Sequence, residues 1–193
     1  MSFVLDLHSL VDLTHDQFEE LCRHNRDVRL ERTATGELVI MPPTGGETGK
    51  RNSSLVGQLW LWNQQSQLGE TFDSSTGFTL PNGATRSPDA AWIQQNRWDA
   101  LTPDEKRRFL PLCPDFAIEL VSPSDSIQDV RAKMREYLEN GLQLGWLIDP
   151  NTNLVEVYQP DRPVNVLQQP RSLSADPVLP GFILELSDIL SRN

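Results

Sequence analysis

Residues 114–149 read PDFAIELVSPSDSIQDVRAKMREYLENGLQLGWLID, and this stretch decides the fold. In DFAIELV, period-two alternation puts Phe116, Ile118 and Leu120 on one face and Ala117, Glu119 and Val121 on the other. Both faces are mostly apolar, as in a central strand covered on both sides. Ser122-Pro123-Ser124 breaks the strand, and the spacing predicts a helix from Ser126 to Asn140 with Gly141 as its C′ residue. Its apolar stripe is Ile127, Val130, Met134, Tyr137 and Leu138. LGWLID is a second apolar strand. Strand, helix and strand in this order make a βαβ unit, with a parallel pair at the centre of a sheet.

Upstream, Thr14-His15-Asp16-Gln17 has the spacing of a capping box and opens a short helix to His24. VRLERT and ELVIMPP are strand-like runs joined across Ala34-Thr35-Gly36, which reads as a hairpin. After the break at Pro42-Pro43-Thr44-Gly45-Gly46, a long helix is expected from Glu47 to Gln67. It carries Leu55, Val56, Leu59 and Trp62 on one face, with Gly69 as its stop. GFTL and SPDAAWI follow as strands on either side of the turn Pro81-Asn82-Gly83. Residues 97–110 are charged and read as a solvated helical excursion. Downstream, LVEVYQP and PVNVLQQ are strands, and a short helix is expected near Leu186–Leu190. No repeat or linker divides the chain, so residues 1–193 are read as one α/β domain with a mixed sheet.

Composition narrows the function classes. Hydrophobic residues at 38% and charged residues at 23% are ordinary globular values. The start, MSFVLDLHSLVDL, has no basic run before an apolar one and makes a poor signal peptide. No stretch has the roughly 20 apolar residues that span a bilayer. Cys22 and Cys113 are read as reduced thiols, so the expectation is a cytoplasmic protein with no membrane partner. A net charge of −10 argues against tight, charge-driven binding to nucleic acid, yet acidity suits a site that gathers metal ions.

Three residues stand out chemically. Glu119 is a carboxylate inside a two-faced apolar strand, so it must be paired, neutralised or metal-bound. Taken alone, a salt bridge with an arginine explains it as well. Asp89 opens the strand Ala90-Ala91-Trp92-Ile93 directly after Ser87-Pro88. An acid there is often only a turn residue, but with Glu119 it could place two hard oxygens on one Mg²⁺ or Mn²⁺. Lys133 falls on the flank of the helix stripe near Tyr137, and the bland alternative is a surface pair with Asp129. His8, His15 and His24 lack a metal-type framework and read as surface residues. Trp60, Trp62, Trp92 and Trp146 read as core.

Together these motifs resemble the PD-(D/E)XK nuclease superfamily, and within it the Uma2 family of restriction-endonuclease-like proteins. The matching text is ELVIMPPTGGETGKRNSSLVGQL, SPDAAWI, PDFAIELVSPSDSIQDVRAKMREYLENGLQLGWLIDP and LPGFILELSDIL. The resemblance implies a restriction-endonuclease-like mixed β-sheet flanked by helices. It also implies a Mg- or Mn-dependent endonuclease acting on DNA, with Asp89 and Glu119 as metal ligands. The superfamily lysine usually stands two residues after the Glu, where this chain has Val121, so Lys133 on the next helix is the implied replacement. Glu47, opening the long helix, is the implied further acidic metal ligand, or else only an acid favoured by a helix N-terminus. A homodimer is the implied assembly. The alternatives are a binding or assembly module with little catalysis, which the acidic balance favours, and a hydrolase of some other phosphate ester.

Overall fold

The structure is a computed structural model that describes residues 3–7, 11 and 13–190. The expected βαβ unit forms its centre. Strand β8 (Phe116–Leu120) pairs in parallel with β9 (Leu144–Asp149), from Phe116↔Leu144 to Leu120↔Ile148, and helix α4 (Ile127–Glu139) makes the crossover. Ser126 and Asn140 flank the helix and Gly141 takes a φ of 108°, a left-handed conformation that suits glycine.

Antiparallel strands complete this sheet in the order β11-β10-β9-β8-β7-β4. They are β4 (Gly69–Asp73), β7 (Ala90–Gln94), β10 (Leu154–Tyr158) and β11 (Asn165–Gln168). A second, wholly antiparallel sheet runs β1-β3-β2-β6-β5. It joins β1 (Phe3–Leu5), the hairpin β2 (Arg29–Arg32) and β3 (Leu38–Met41), and the short strands β5 (Phe78–Thr79) and β6 (Thr85–Arg86). Helices α1 (His15–His24), α2 (Gly46–Ser66) and α3 (Gln95–Asp99) and the hairpin β12 (Ser172–Ser174) with β13 (Ile183–Glu185) make up the rest. The architecture is a mixed α/β fold with sheets flanked by helices, as expected.

The alternation of β8 sorts the core into two layers. Phe116, Ile118 and Leu120 pack with Leu55 and Leu59 of α2 and with Leu184 of the terminal hairpin. Ala117 and Val121 face Met134 and Tyr137 of α4. Glu119 lies on this second face. Two apolar layers on one strand bury a large area, at roughly 25 cal/mol per Å² removed from water.

Some expectations change. Gly69 does not stop α2. Gln67 closes the helix with a φ of 54°, donating its N–H to the Asn63 carbonyl, and Gly69 begins β4. A side chain at Gly69 would put Cβ 2.1 Å from the Ile93 carbonyl oxygen, so the glycine serves close strand approach. Near Leu186–Leu190 the chain makes one turn, in which Leu186 O accepts from Ile189 and Leu190, and the described residues form no helix there. Trp60 is 52% exposed although its α2 neighbour Trp62 is largely covered, because the two point to different sides of the helix. His24 is exposed, whereas His15 is half-buried with Nε2 3.0 Å from Thr79 Oγ1; His8 lies outside the described residues. No helix among the described residues is long and apolar enough to cross a membrane.

Candidate functional site

Glu119 stands near the end of β8, 7% exposed, on the face covered by α4. Asp89 immediately precedes β7. Antiparallel pairing sets Ala90 opposite Ile118, so the next step along brings Asp89 opposite Glu119. The Asp89 carboxylate is fixed at both oxygens: Oδ2 accepts from the Leu120 N–H at 2.8 Å and Oδ1 from Asn52 Nδ2 at 3.0 Å.

Lys133 reaches this pair from the flank of α4. Its Nζ lies 2.9 Å from Glu119 Oε1 and 5.9 Å from the Tyr137 ring centroid. Its stem thus follows the apolar stripe, and it pairs with Glu119 rather than with Asp129. Tyr137 Oη donates to the same Glu119 oxygen at 3.0 Å. Both donors use Oε1, and neither uses Oε2.

Sequence reasoning missed one acid. Glu31, on β2, is 2% exposed and binds Lys133 Nζ through Oε1 at 2.8 Å. The Ser87 N–H donates to the same oxygen at 2.9 Å, and Arg86 Nη1 donates to Oε2 at 3.2 Å. Arg86 also donates to Glu136 of α4 at 2.6 Å. In RLER three of the four residues are charged, so nothing local marks Glu31 as buried. Glu47 stays outside the cluster. Its side chain is 89% exposed, and its carboxylate is 3.8 Å from Arg51 on the same helix.

The electrostatics follow from burial among three acids and two fixed cations. Burial raises Glu119 to about 7, with Lys133 opposing and Asp89 and Glu31 adding to the rise. Asp89 keeps some exposure but is ringed by protein, and burial raises it too, against the Leu120 N–H and Lys133. Glu31 goes the other way: burial would raise it, but Lys133 and Arg86 together hold it below the usual range. Burial alone would lower Lys133, yet Glu119 and Glu31 carry it well above the ordinary lysine value. Burial and the Glu119 charge keep Tyr137 a neutral phenol.

The resemblance implies a hard cation at these acids. No group of three His, Cys, Asp or Glu side chains among the described residues is placed to bind a metal ion. Asp89 accepts one hydrogen bond at each oxygen, Glu119 Oε2 takes neither of the donors that use Oε1, and the Asn52 carbonyl Oδ1 is buried without a hydrogen-bond partner. Two carboxylates suit Mg²⁺, which keeps several of its waters and is usually held by one or two acids. The donor set therefore fits the metal that the resemblance implies.

The fold has a counterpart among solved structures. A crystal structure of a putative nuclease belonging to DUF820 from Anabaena variabilis ATCC 29413 matches with a TM-score of 0.72 and 24% identity. The match covers 86% of this chain and 90% of that one. At that identity the likeness establishes a shared fold. Residues 15–187 match the Uma2 family, described as putative restriction endonucleases, and the chain belongs to that family. No curated protein matches it.

Proposed function

We propose that the chain is a metal-dependent nuclease that hydrolyses DNA phosphodiester bonds, with Asp89 and Glu119 holding Mg²⁺ or Mn²⁺ and Lys133 beside them. The observation that carries this reading is the 2.9 Å contact between Lys133 Nζ and Glu119 Oε1, with Asp89 next to Glu119 across the strands. Family membership supplies the class of chemistry.

A bound divalent cation would supply a Lewis acid for the scissile phosphate and a water of lowered pKa. The chain's own groups do the rest. Asn52 and the Leu120 N–H orient Asp89, and Tyr137 orients Glu119. Lys133 remains an ammonium, so it cannot take a proton from water. Its role is to donate to a phosphate oxygen and offset charge that grows in the transition state. Cutting both strands of a duplex calls for two such sites, and a homodimer would supply them.

A binding or assembly module is the second reading. The net charge of −10 favours it, as does the internal pairing of two arginines near the site. Arg86 is tied to Glu31 and Glu136, and Arg131 to Glu156 on β10. Lys50, exposed on α2, and the largely covered Arg51 remain. Nicking of supercoiled plasmid in Mn²⁺ by wild type, absent in Asp89→Asn and Glu119→Gln, separates the two readings. The metal site is tested by calorimetry: Mn²⁺ affinity in Asp89→Asn equal to wild type would overturn it.

A further inference from the structure

Every donor of the Lys133 ammonium has a partner. Nζ meets Glu31 Oε1 at 2.8 Å, Glu119 Oε1 at 2.9 Å and the Ser87 carbonyl at 3.3 Å. The two carboxylates differ in their other commitments. Glu119 faces Asp89 and shares Oε1 with Tyr137. Glu31 meets Glu119 only across the ammonium they share. Its oxygens are filled by Lys133, the Ser87 N–H and the permanently charged Arg86, and Arg86 is itself braced by Glu136.

A lysine carried on a helix has a four-carbon stem to immobilise, and a compact ammonium has no intrinsic directional preference. Held only by Glu119, it would follow whatever that carboxylate does. A second, fully occupied acid fixes it independently. Arg86, a permanent cation on Glu31 Oε2, has no counterpart on Asp89 or Glu119, and this separates the role of Glu31 from theirs.

We propose that Glu31 is the positioning residue for Lys133: a carboxylate from the second sheet, pinned by Arg86 and the Ser87 N–H, that keeps the ammonium at the site when Glu119 serves another partner. This inference rests on the nuclease reading for what Lys133 then does, but the anchoring itself is a property of the free protein.

The test uses the three lysines of the chain, Lys50, Lys106 and Lys133. In metal-free protein labelled with ¹⁵N at lysine Nζ, a buried, triply bonded ammonium exchanges slowly and gives a resolved signal, assigned by its loss in Lys133→Met. In Glu31→Gln, exchange of that signal with water should accelerate by about tenfold or more, and Glu31→Asp should recover part of the protection. The second arm is single-turnover plasmid cleavage in Mn²⁺. Glu31→Gln should slow it about tenfold to a hundredfold, and Glu31→Gln/Lys133→Met should be no slower than Lys133→Met, because residues acting as a unit are not additive. Thermal melting checks each variant, and if Glu31→Gln is unfolded, Glu31→Asp decides both arms. Unchanged exchange in a folded Glu31 variant overturns the proposal, as does a double variant slowed by the full product of the two single effects. If wild type does not cleave, the nuclease reading fails while the exchange arm still decides the anchoring.

Discussion

Replacing Glu119 with glutamine should stabilise the metal-free protein at alkaline pH, even though it removes one partner of an ion pair. Burial lifts the Glu119 carboxyl from 4.5 to about 7, against the pull of Lys133 and with help from Asp89 and Glu31. The unfolded chain gives up this proton near the ordinary value, while the folded chain holds it to about 7. Across that window the unfolded state binds fewer protons, so this residue's contribution makes stability fall as pH rises and level off above the folded value. The size of the shift corresponds to about 3 kcal/mol. Glutamine copies the neutral acid, and Lys133 keeps Glu31 and the Ser87 carbonyl. Glu119→Gln should therefore melt close to wild type at about pH 5 and some 6–12 °C higher at about pH 8.5, in EDTA. The assay is thermal unfolding followed by circular dichroism at both pH values. A variant that melts below wild type by the same amount at both would refute the reasoning. Glu119 would then be a structural counter-ion to Lys133.

Lys133→Met should cut the cleavage rate about 10²–10³-fold while metal still binds, and Lys133→Arg should restore little, since a planar guanidinium does not copy a compact ammonium. The same Lys133→Met change leaves Glu31 and Glu119 without their shared cation, so it should cost roughly 3 kcal/mol near neutral pH and less in acid, read from urea midpoints. Glu47→Gln should leave Mn²⁺ affinity within about twofold of wild type by calorimetry, because an exposed acid paired within its own helix contributes little to the site. Gly69→Ala should destabilise by about 1–3 kcal/mol, because the added Cβ meets the Ile93 backbone; a melting temperature equal to wild type would show that β4 can shift away.

Asp89 and Glu119 stood out because each breaks a local pattern, an acid at a strand mouth and an acid inside an apolar strand, whereas Lys133, on the flank of a helix stripe, drew its weight from the family resemblance. Glu31 breaks none. Its burial comes from pairing of β2 with β6, where Arg32 meets Thr85, which brings Arg86 and Ser87 beside a strand more than fifty residues earlier. The same non-local pairing turns Arg86 inward, onto Glu31 and Glu136. Strand β4 was hidden for a related reason. GETFD has one large apolar residue and no alternation of its own, and it is a strand because all five residues pair with β7. The helix expected at the C-terminus failed on length: one turn of backbone bonds does not offset the cost of nucleation.

The 102 residues that separate Glu31 from Lys133 have a consequence for synthesis. A growing chain that has exposed the hairpin, α2 and β8 already carries Glu31, Asp89 and Glu119, three acids with no lysine among them. Arg86 is already present to face Glu31, but Glu119 has no cation until α4 has left the ribosome. A fragment that stops before α4 lacks the ammonium altogether. Order of synthesis thus sets when the cluster closes: Glu119 meets its cation only after more than a hundred residues that follow Glu31 have been made.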